Sequence, residues 1–381
     1  MPAQRYDVFC KVVDNYGDAG VSWRLARQLV REHDLAVTLW IDALASLAKI
    51  APRVDALRDD QVLAGVRIRM WKEPFAEVEL PDVVVEAFGC ELPQAYLDAM
   101  AAASRPPVWI NLEYLSAEPW VESAHGLPSP QPRLPLTRYF FFPGFTPRTG
   151  GLLREAGLIE AYEHARSQPA ARDVLWKALG IADPSDGIAV SLFCYANHGL
   201  TSLFDAWAES DEPILCIVPE GVATAALDAW TGGNVPHAKQ SLTRGRLTLA
   251  TIPFLAQDEY DRLLWHCDVN VVRGEDSFVR AQWTTRPFVW HIYPQADDAH
   301  RVKIEEFLRR YEVGLDEEVA QRASRFWLAF NDDQSDAAAL AWPAFRAVLP
   351  QVSAHGIEWV NRLRKLPDLA SELVDFCNDR L

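Results

Sequence analysis

The sequence predicts an α/β protein made of two doubly wound, Rossmann-like domains. Three observations lead there. Short apolar strands alternate with helical patterns along the chain, the signature of parallel sheets covered by helices on both faces. That rhythm breaks over residues 121–151 and restarts after about residue 155. The length of 381 residues, 49% of them hydrophobic and 14 of them Trp, suffices for two cores.

Taken in order, Tyr6 to Val13 is an apolar run that reads as the first strand, turning at Asn15-Tyr16-Gly17. Asp18 opens a helix to about Glu32, with Val21, Leu25 and Leu29 on one face. Strands follow at Ala36–Ile41, Val66–Met70 and Asp82–Glu86, then a helix at Leu92–Ala103 and a strand at Val108–Leu112. The stretch from Val121 to Leu136, with its proline-rich SAHGLPSPQPRLPL, predicts irregular structure, and Tyr139–Phe142 an aromatic strand. GFTPRTGG at 144–151 is loop chemistry approaching a boundary. The second half predicts a helix at Ala171–Leu179, a strand at Ile188–Tyr195 and a helix near Leu200–Ala208. A strand at Ile214–Val218, a helix near Val222–Trp230 and a strand at Leu247–Ile252 come next. The series ends with a helix at Asp258–Cys267, a strand through Val272, a strand at Phe288–Ile292 and a helix at Asp297–Tyr311. From about Ser335 the tail reads as mostly helical, with breaks at Pro343 and Pro350. The domains expected are 1–155 and 156–359, with a C-terminal helix at about 360–381 returning to the first. Ligands of two such halves bind outside the carboxyl ends of the strands, in a cleft between domains.

Composition narrows the function. The formal net charge is −16, which argues against nucleic acid as the main partner and suits a basic protein or cationic side chain. Cys10, Cys90, Cys194, Cys216, Cys267 and Cys377 are scattered, without a CxxC pair or zinc spacing, and read as free thiols of a reducing compartment. The N-terminus lacks a signal-peptide h-region, and no apolar run approaches membrane-spanning length, so a soluble cytoplasmic protein is expected. GxGxxG, GxxxxGK[ST] and GxSxG are all missing. Dinucleotide dehydrogenases, P-loop enzymes and α/β-hydrolases lose their main support.

Two stretches carry candidate chemistry. VVRGEDSFVRAQW, residues 271–283, reads as strand, tight turn at Gly274 and helix. Its first amides and the helix dipole make an anion site, with Arg273 beside it as a fixed charge; a diphosphate fits. Glu275 in that turn could hold sugar hydroxyls. Phe193, Tyr195 and Phe254 lie at or after strand ends where a flat base could stack, Gln257 could read base edges, and Tyr293 could reach phosphate. In VVDNYGDAG, Asp14 and Asp18 flank the turn after the first strand, where a carboxylate pair can orient a cation and accept a proton. The plainer alternatives stand beside these. Asp18, Asp276 or Ser277 could be helix caps, Asp14 an Asx-turn residue, Arg273 a partner for a surface carboxylate, and the aromatics core.

Longer motifs resemble a known family, the bacterial protein-arginine rhamnosyltransferases that modify elongation factor P (the EarP family). They are CKVVDNYGDAGVSWRLARQL at 10–29, WINLEYLSAEPWVESAHGLPSPQP at 109–132 and FFPGFTPRTGGLL at 141–153. SLFCYAN at 191–197, IPFLAQDEYDRLLWHCDVNVVRGEDSFVRAQW at 252–283 and WHIYPQ at 290–295 complete the set. The resemblance implies a GT-B glycosyltransferase with dTDP-β-L-rhamnose as donor, held mainly by the second domain. It implies an arginine on the N-terminal domain of elongation factor P as acceptor, held mainly by the first. It further implies inversion to α-rhamnosyl-arginine, with no cofactor, metal, nucleic acid or membrane. Carried over by motif, Asp18 is the general base, Asp14 orients the acceptor, and Glu275 supports catalysis from the donor side. Phe193, Phe254, Gln257, Arg273, Asp276, Ser277 and Tyr293 form the donor site, which Tyr195 joins by its strand-end position. A GT-B enzyme with a small-molecule acceptor, or a non-catalytic nucleotide-sugar-binding protein, remains the alternative.

Overall fold

Strand β1, Arg5–Cys10, is buried at every position after the first. A strand with no solvent-facing side needs cover on both faces, as in a doubly wound sheet. The computed structural model describes residues 3–14, 16–75, 79–181, 187–294, 299–332 and 336–381. Asn15 of the predicted turn, Asp297 at the predicted helix start and Ser335 lie outside them. The chain divides into two units, Met1–Ala156 with Arg364–Leu381, and Gly157–Leu363.

In the first unit β1 is followed by α1 (Gly17–His33), β2 (Ala36–Ile41), α2 (Leu44–Ile50), β3 (Asp60–Leu63), β4 (Val66–Met70) and β5 (Val83–Ala87). Then come α3 (Gln94–Ala102), β6 (Val108–Leu112), α4 (Val121–Ala124), β7 (Pro128–Pro130) and β8 (Thr137–Phe141). The strand order is β3-β4-β2-β1-β5-β6-β8-β7. The pairs β1–β2, β1–β5, β2–β4, β5–β6 and β6–β8 are parallel, and β3 and β7 pair antiparallel at the edges. The chain runs outward from β1 to β4, then returns to place β5 beside β1, so the sheet's switch point lies between β1 and β5. Phe9 packs among Trp40, Tyr96 and Trp109 on one face. The buried carboxylate of Glu86 is satisfied by Trp109 Nε1 at 3.0 Å and Arg138 Nη1 at 3.1 Å.

The second unit holds α5 (Leu158–Ser167), α6 (Pro169–Leu179), β9 (Ile188–Leu192), α7 (Leu200–Ala208), β10 (Ile214–Pro219), α8 (Thr224–Thr231), β11 (Gln240–Arg244) and β12 (Leu247–Ile252). After them come α9 (Gln257–His266), β13 (Val269–Arg273), α10 (Asp276–Gln282), β14 (Phe288–His291), α11 (Ala299–Tyr311), α12 (Glu317–Asn331), α13 (Ala337–Ala347) and α14 (Leu349–Leu363). Its sheet runs β11-β12-β10-β9-β13-β14, with the switch point between β9 and β13. Beneath β13 and β14, Phe278 stacks on Trp290 at 4.0 Å, and Phe307 packs on both Phe278 and Trp327.

The last helix, α15 (Leu369–Asn378), belongs to the first unit. Asp368 caps it by accepting from the amides of Ala370 and Ser371, both at 3.1 Å. Gln28 of α1 donates to Asp368 at 2.9 Å, and Leu369 N donates to Leu152 O at 3.0 Å. Gly151 sits at φ +69 where a Cβ would lie 2.4 Å from the Pro367 carbonyl oxygen, so only glycine permits this approach.

Three expectations are corrected. The Val121–Leu136 stretch is not wholly irregular: it contains α4 and the edge strand β7, where prolines flank Ser129 without interrupting a central ladder. Pro343 lies inside α13 and does not end it, because Trp342 and Phe345 anchor the helix in the core. The break expected at Pro350 is present: α13 ends at Ala347 and α14 begins at Leu349, with Pro350 in its first turn, where a missing N–H costs nothing. β1 and β9 stop at Cys10 and Leu192, three residues short of the predicted ends, since the residues after them turn out of the sheets. Among the described residues no helix is long and apolar enough to cross a membrane.

Candidate active site

The two candidate stretches fall at the carboxyl ends of the strands flanking the two switch points. In the first unit, the turn after β1 carries Asp14 and Asp18, and one is inside while the other is half-buried. Asp18, 2% exposed, accepts from the amides of Val13 and Asp14 at Oδ2, both at 2.8 Å. Its Oδ1 accepts from the Tyr114 hydroxyl at 3.2 Å. Asp18 is therefore no N-cap of α1: Tyr16 holds that position, and the Asp18 carboxylate folds the preceding loop back over itself. The Asp14 carbonyl accepts from Gly17 N at 2.7 Å. Its carboxylate lies so close to Gly17 that a Cβ there would stand 2.6 Å from Oδ2. Glycine at 17 thus lets both carboxylates share one turn.

In the second unit the donor candidates form one connected cluster. Arg273 ends β13, and its guanidinium lies 4.5 Å from the Phe193 ring centre and 4.9 Å from that of Tyr195. Its Nη1 donates to Cys194 O at 3.1 Å, which fixes the planar group across the end of the neighbouring strand. Phe254 meets Phe193 edge-on at 6.1 Å, and Tyr260 tilts against the same ring at 5.3 Å. Tyr293, 52% exposed, meets Tyr195 edge-on at 5.2 Å. Gly274, at φ +62, makes the turn into α10, and its carbonyl accepts from Trp290 Nε1 at 2.8 Å. Glu275 holds the N-cap position, and its backbone carbonyl accepts from Val279 N at 3.0 Å, without a side-chain cap bond.

Neither Asp276 nor Ser277 caps α10. Asp276 accepts from Gln257 Nε2 at 2.9 Å, tying α9 to α10. Ser277 donates its hydroxyl back to the Arg273 carbonyl.

His291, at the end of β14, completes this cluster and was no candidate in the sequence. Its Nδ1 accepts from the Tyr195 amide at 3.2 Å. Burial, helped by the Arg273 charge, pushes its pKa down to about 3, so the ring is neutral beside the guanidinium. Burial also holds the neighbouring Cys194 thiol up at about 12, although the Arg273 charge pulls it the other way. Tyr260 and His291 are strand-end or helix residues with no sequence signal beyond their aromatic type. Among the described residues no three His, Cys, Asp or Glu side chains group closely enough to hold a metal ion.

The arrangement offers a fixed cation and stacking surfaces in one unit, and a buried carboxylate with an exposed aromatic neighbour in the other. A family model described as the elongation-factor P (EF-P) rhamnosyltransferase EarP matches residues 6–378. The chain belongs to the EarP family. Protein-arginine rhamnosyltransferases from Pseudomonas putida and Pseudomonas aeruginosa are 47% and 46% identical to it over 376 residues, 99% of each chain. A solved structure, described as the structural basis for EarP-mediated arginine glycosylation of translation elongation factor EF-P, is similar with a TM-score of 0.71. It is 35% identical, and the match covers 99% of this chain and all of that one. A glycosyltransferase from Rickettsia africae, 6% identical with a TM-score of 0.53, shares the fold. This EarP chain is thus an enzyme of the glycosyltransferase class with the two-domain GT-B fold, as its motifs implied.

Proposed function

We propose that the protein transfers L-rhamnose from dTDP-β-L-rhamnose to one arginine side chain of elongation factor P, inverting the sugar to α-rhamnosyl-arginine. The observation that carries the reading is the pairing of a full-length EarP match with both motif clusters at the sheets' switch points. The setting is the cytoplasm: all six cysteines are buried and free, as suits a reducing compartment.

A guanidinium is protonated at ordinary pH and its lone pairs are delocalised, so it is a poor nucleophile. Asp14 and Asp18 grip it and polarise one nitrogen. That nitrogen attacks the anomeric carbon while the bond to the diphosphate oxygen breaks and its electron pair leaves with dTDP. The proton released passes to Asp18. Oδ1 is the atom that takes it, because Oδ2 is committed to two backbone amides whereas Oδ1 meets one hydroxyl. The growing negative charge on the diphosphate is met by Arg273, by Tyr293 and by the start of α10. Phe193, Tyr195 and Phe254 hold the base, Gln257, Asp276 and Ser277 shape its surroundings, and Glu275 steadies the sugar. No metal or cofactor enters this scheme.

Intact-mass spectrometry of elongation factor P, incubated with the protein and dTDP-rhamnose in EDTA, tests the reading. One added deoxyhexose, localised to an arginine, is expected. Asp18→Asn should abolish that gain while leaving dTDP affinity unchanged; retained turnover would remove Asp18 from the base role. No gain with the native protein, in the presence of bound dTDP, would point to a different acceptor.

A further inference from the structure

Beside the β1 turn, at the carboxyl end of β5, the backbone takes a course that a large side chain rarely allows. Phe88 sits at φ +59, followed by Gly89 at φ +62. A bulky residue in the left-handed region is strained and persists only where its surroundings hold it, a situation that clusters at ligand clamps. Here the Phe88 amide is held by the Leu112 carbonyl at 2.6 Å. The turn lays the Phe88 ring against Tyr114, with centroids 4.5 Å apart and planes within 18°. Tyr114 is 40% exposed, yet its hydroxyl reaches the buried Asp18 Oδ1 at 3.2 Å. The result is a doubled aromatic platform, half open to solvent, whose polar end touches the carboxylate of the turn.

We propose that Phe88 and Tyr114 form the stacking surface on which the acceptor guanidinium lies flat, with Tyr114 a specificity residue for a planar cation. The inference rests on the reading of arginine as acceptor. A guanidinium is planar and weakly hydrated, so it gains from an aromatic face in a way that a compact ammonium does not. A group lying over the hydroxyl end of Tyr114 is also next to Asp18, the atom set that receives its proton. The hydroxyl has a second task. As a donor to Oδ1 at 3.2 Å it fixes which lone pair of the carboxylate faces the platform. If the ring pair merely closed the top of the sheet, its loss would lower stability and leave acceptor kinetics alone.

Two variants of the full-length protein separate these roles, with elongation factor P and dTDP-rhamnose as substrates. Tyr114→Leu should raise KM for elongation factor P about tenfold, the scale of one partly desolvated cation–π contact, with dTDP affinity and melting temperature unchanged. Tyr114→Phe keeps the ring, so KM should stay within about twofold, while kcat falls about tenfold because Asp18 Oδ1 has lost the hydroxyl that orients it. An unchanged KM in Tyr114→Leu, or a KM rise matched by equal loss of dTDP affinity or of folding, would overturn the platform. An unchanged kcat in Tyr114→Phe would overturn the positioning role. If the native protein transfers nothing to elongation factor P, the acceptor reading and this inference fall together; native turnover with insensitive variants sinks the inference alone.

Discussion

Replacing His291 by Asn should flatten the acid sensitivity of the second unit. In the folded chain His291 is held neutral by burial and by Arg273, its pKa near 3 against an ordinary value of 6.5. The unfolded chain therefore binds a proton in the window between those values while the folded chain does not, so stability rises with pH across it. At pH 7 the unfolded imidazole is mostly neutral and the penalty is about 0.2 kcal/mol; at pH 5 protonation favours the unfolded state by about 2 kcal/mol. Asn keeps an acceptor for the Tyr195 amide, which His291 now serves at 3.2 Å, but carries no proton to titrate. His125, His266 and His355 are lowered in the same direction and remain in both proteins. The quantity to compare is therefore the difference between native and variant. Urea unfolding followed by tryptophan fluorescence at pH 7 and pH 5 gives it. The native protein should lose about 2 kcal/mol more than His291→Asn on acidification. Equal losses would show that His291 takes up its proton without unfolding, and the neutral-imidazole account of the Arg273 cluster would fail.

Two further outcomes follow from the geometry. Arg273→Ala should weaken dTDP binding by about 2 kcal/mol, roughly thirtyfold, because it removes a charge-assisted donor and the plate between Phe193 and Tyr195; isothermal calorimetry showing native affinity would refute this. Gly151→Ala should destabilise the first unit by about 3 kcal/mol, since a Cβ at φ +69 is strained and meets the Pro367 carbonyl at 2.4 Å. A melting temperature equal to that of the native protein would show that residues 367–369 seat elsewhere.

The fold was most legible where strands are buried on both faces or regularly alternating. Ala36–Ile41, Val66–Met70, Val108–Leu112 and Leu247–Ile252 begin and end where their residue patterns say. Legibility failed where apolar residues leave a sheet. Val13 prolongs the β1 run in sequence but is 73% exposed, because the loop turns to present its amide to Asp18. Phe193 likewise prolongs β9 in sequence while its ring turns to Arg273. Pro128 and Pro130 read as strand breakers because a sequence does not say which strand is at an edge. The site residues came from motif likeness and from strand-end position, and their partners did not. Nothing in the letters AFG marks Phe88 as left-handed, since its amide is held by the carbonyl of Leu112, on another strand. The neutrality of His291 likewise depends on burial by elements that the local sequence does not contain.

The return of residues 364–381 to the first unit has a consequence for the order of synthesis. On the ribosome, β1 through β8 emerge early, but Gln28 and Leu152 wait for Asp368 and Leu369 until all of the second unit has been made. During that interval the flank of α1 that α15 covers is open, and nascent domains usually fold in the order in which they appear. The first half must therefore either tolerate an uncovered apolar flank or delay its final packing. Translation speed through the second half sets how long that vulnerable interval lasts.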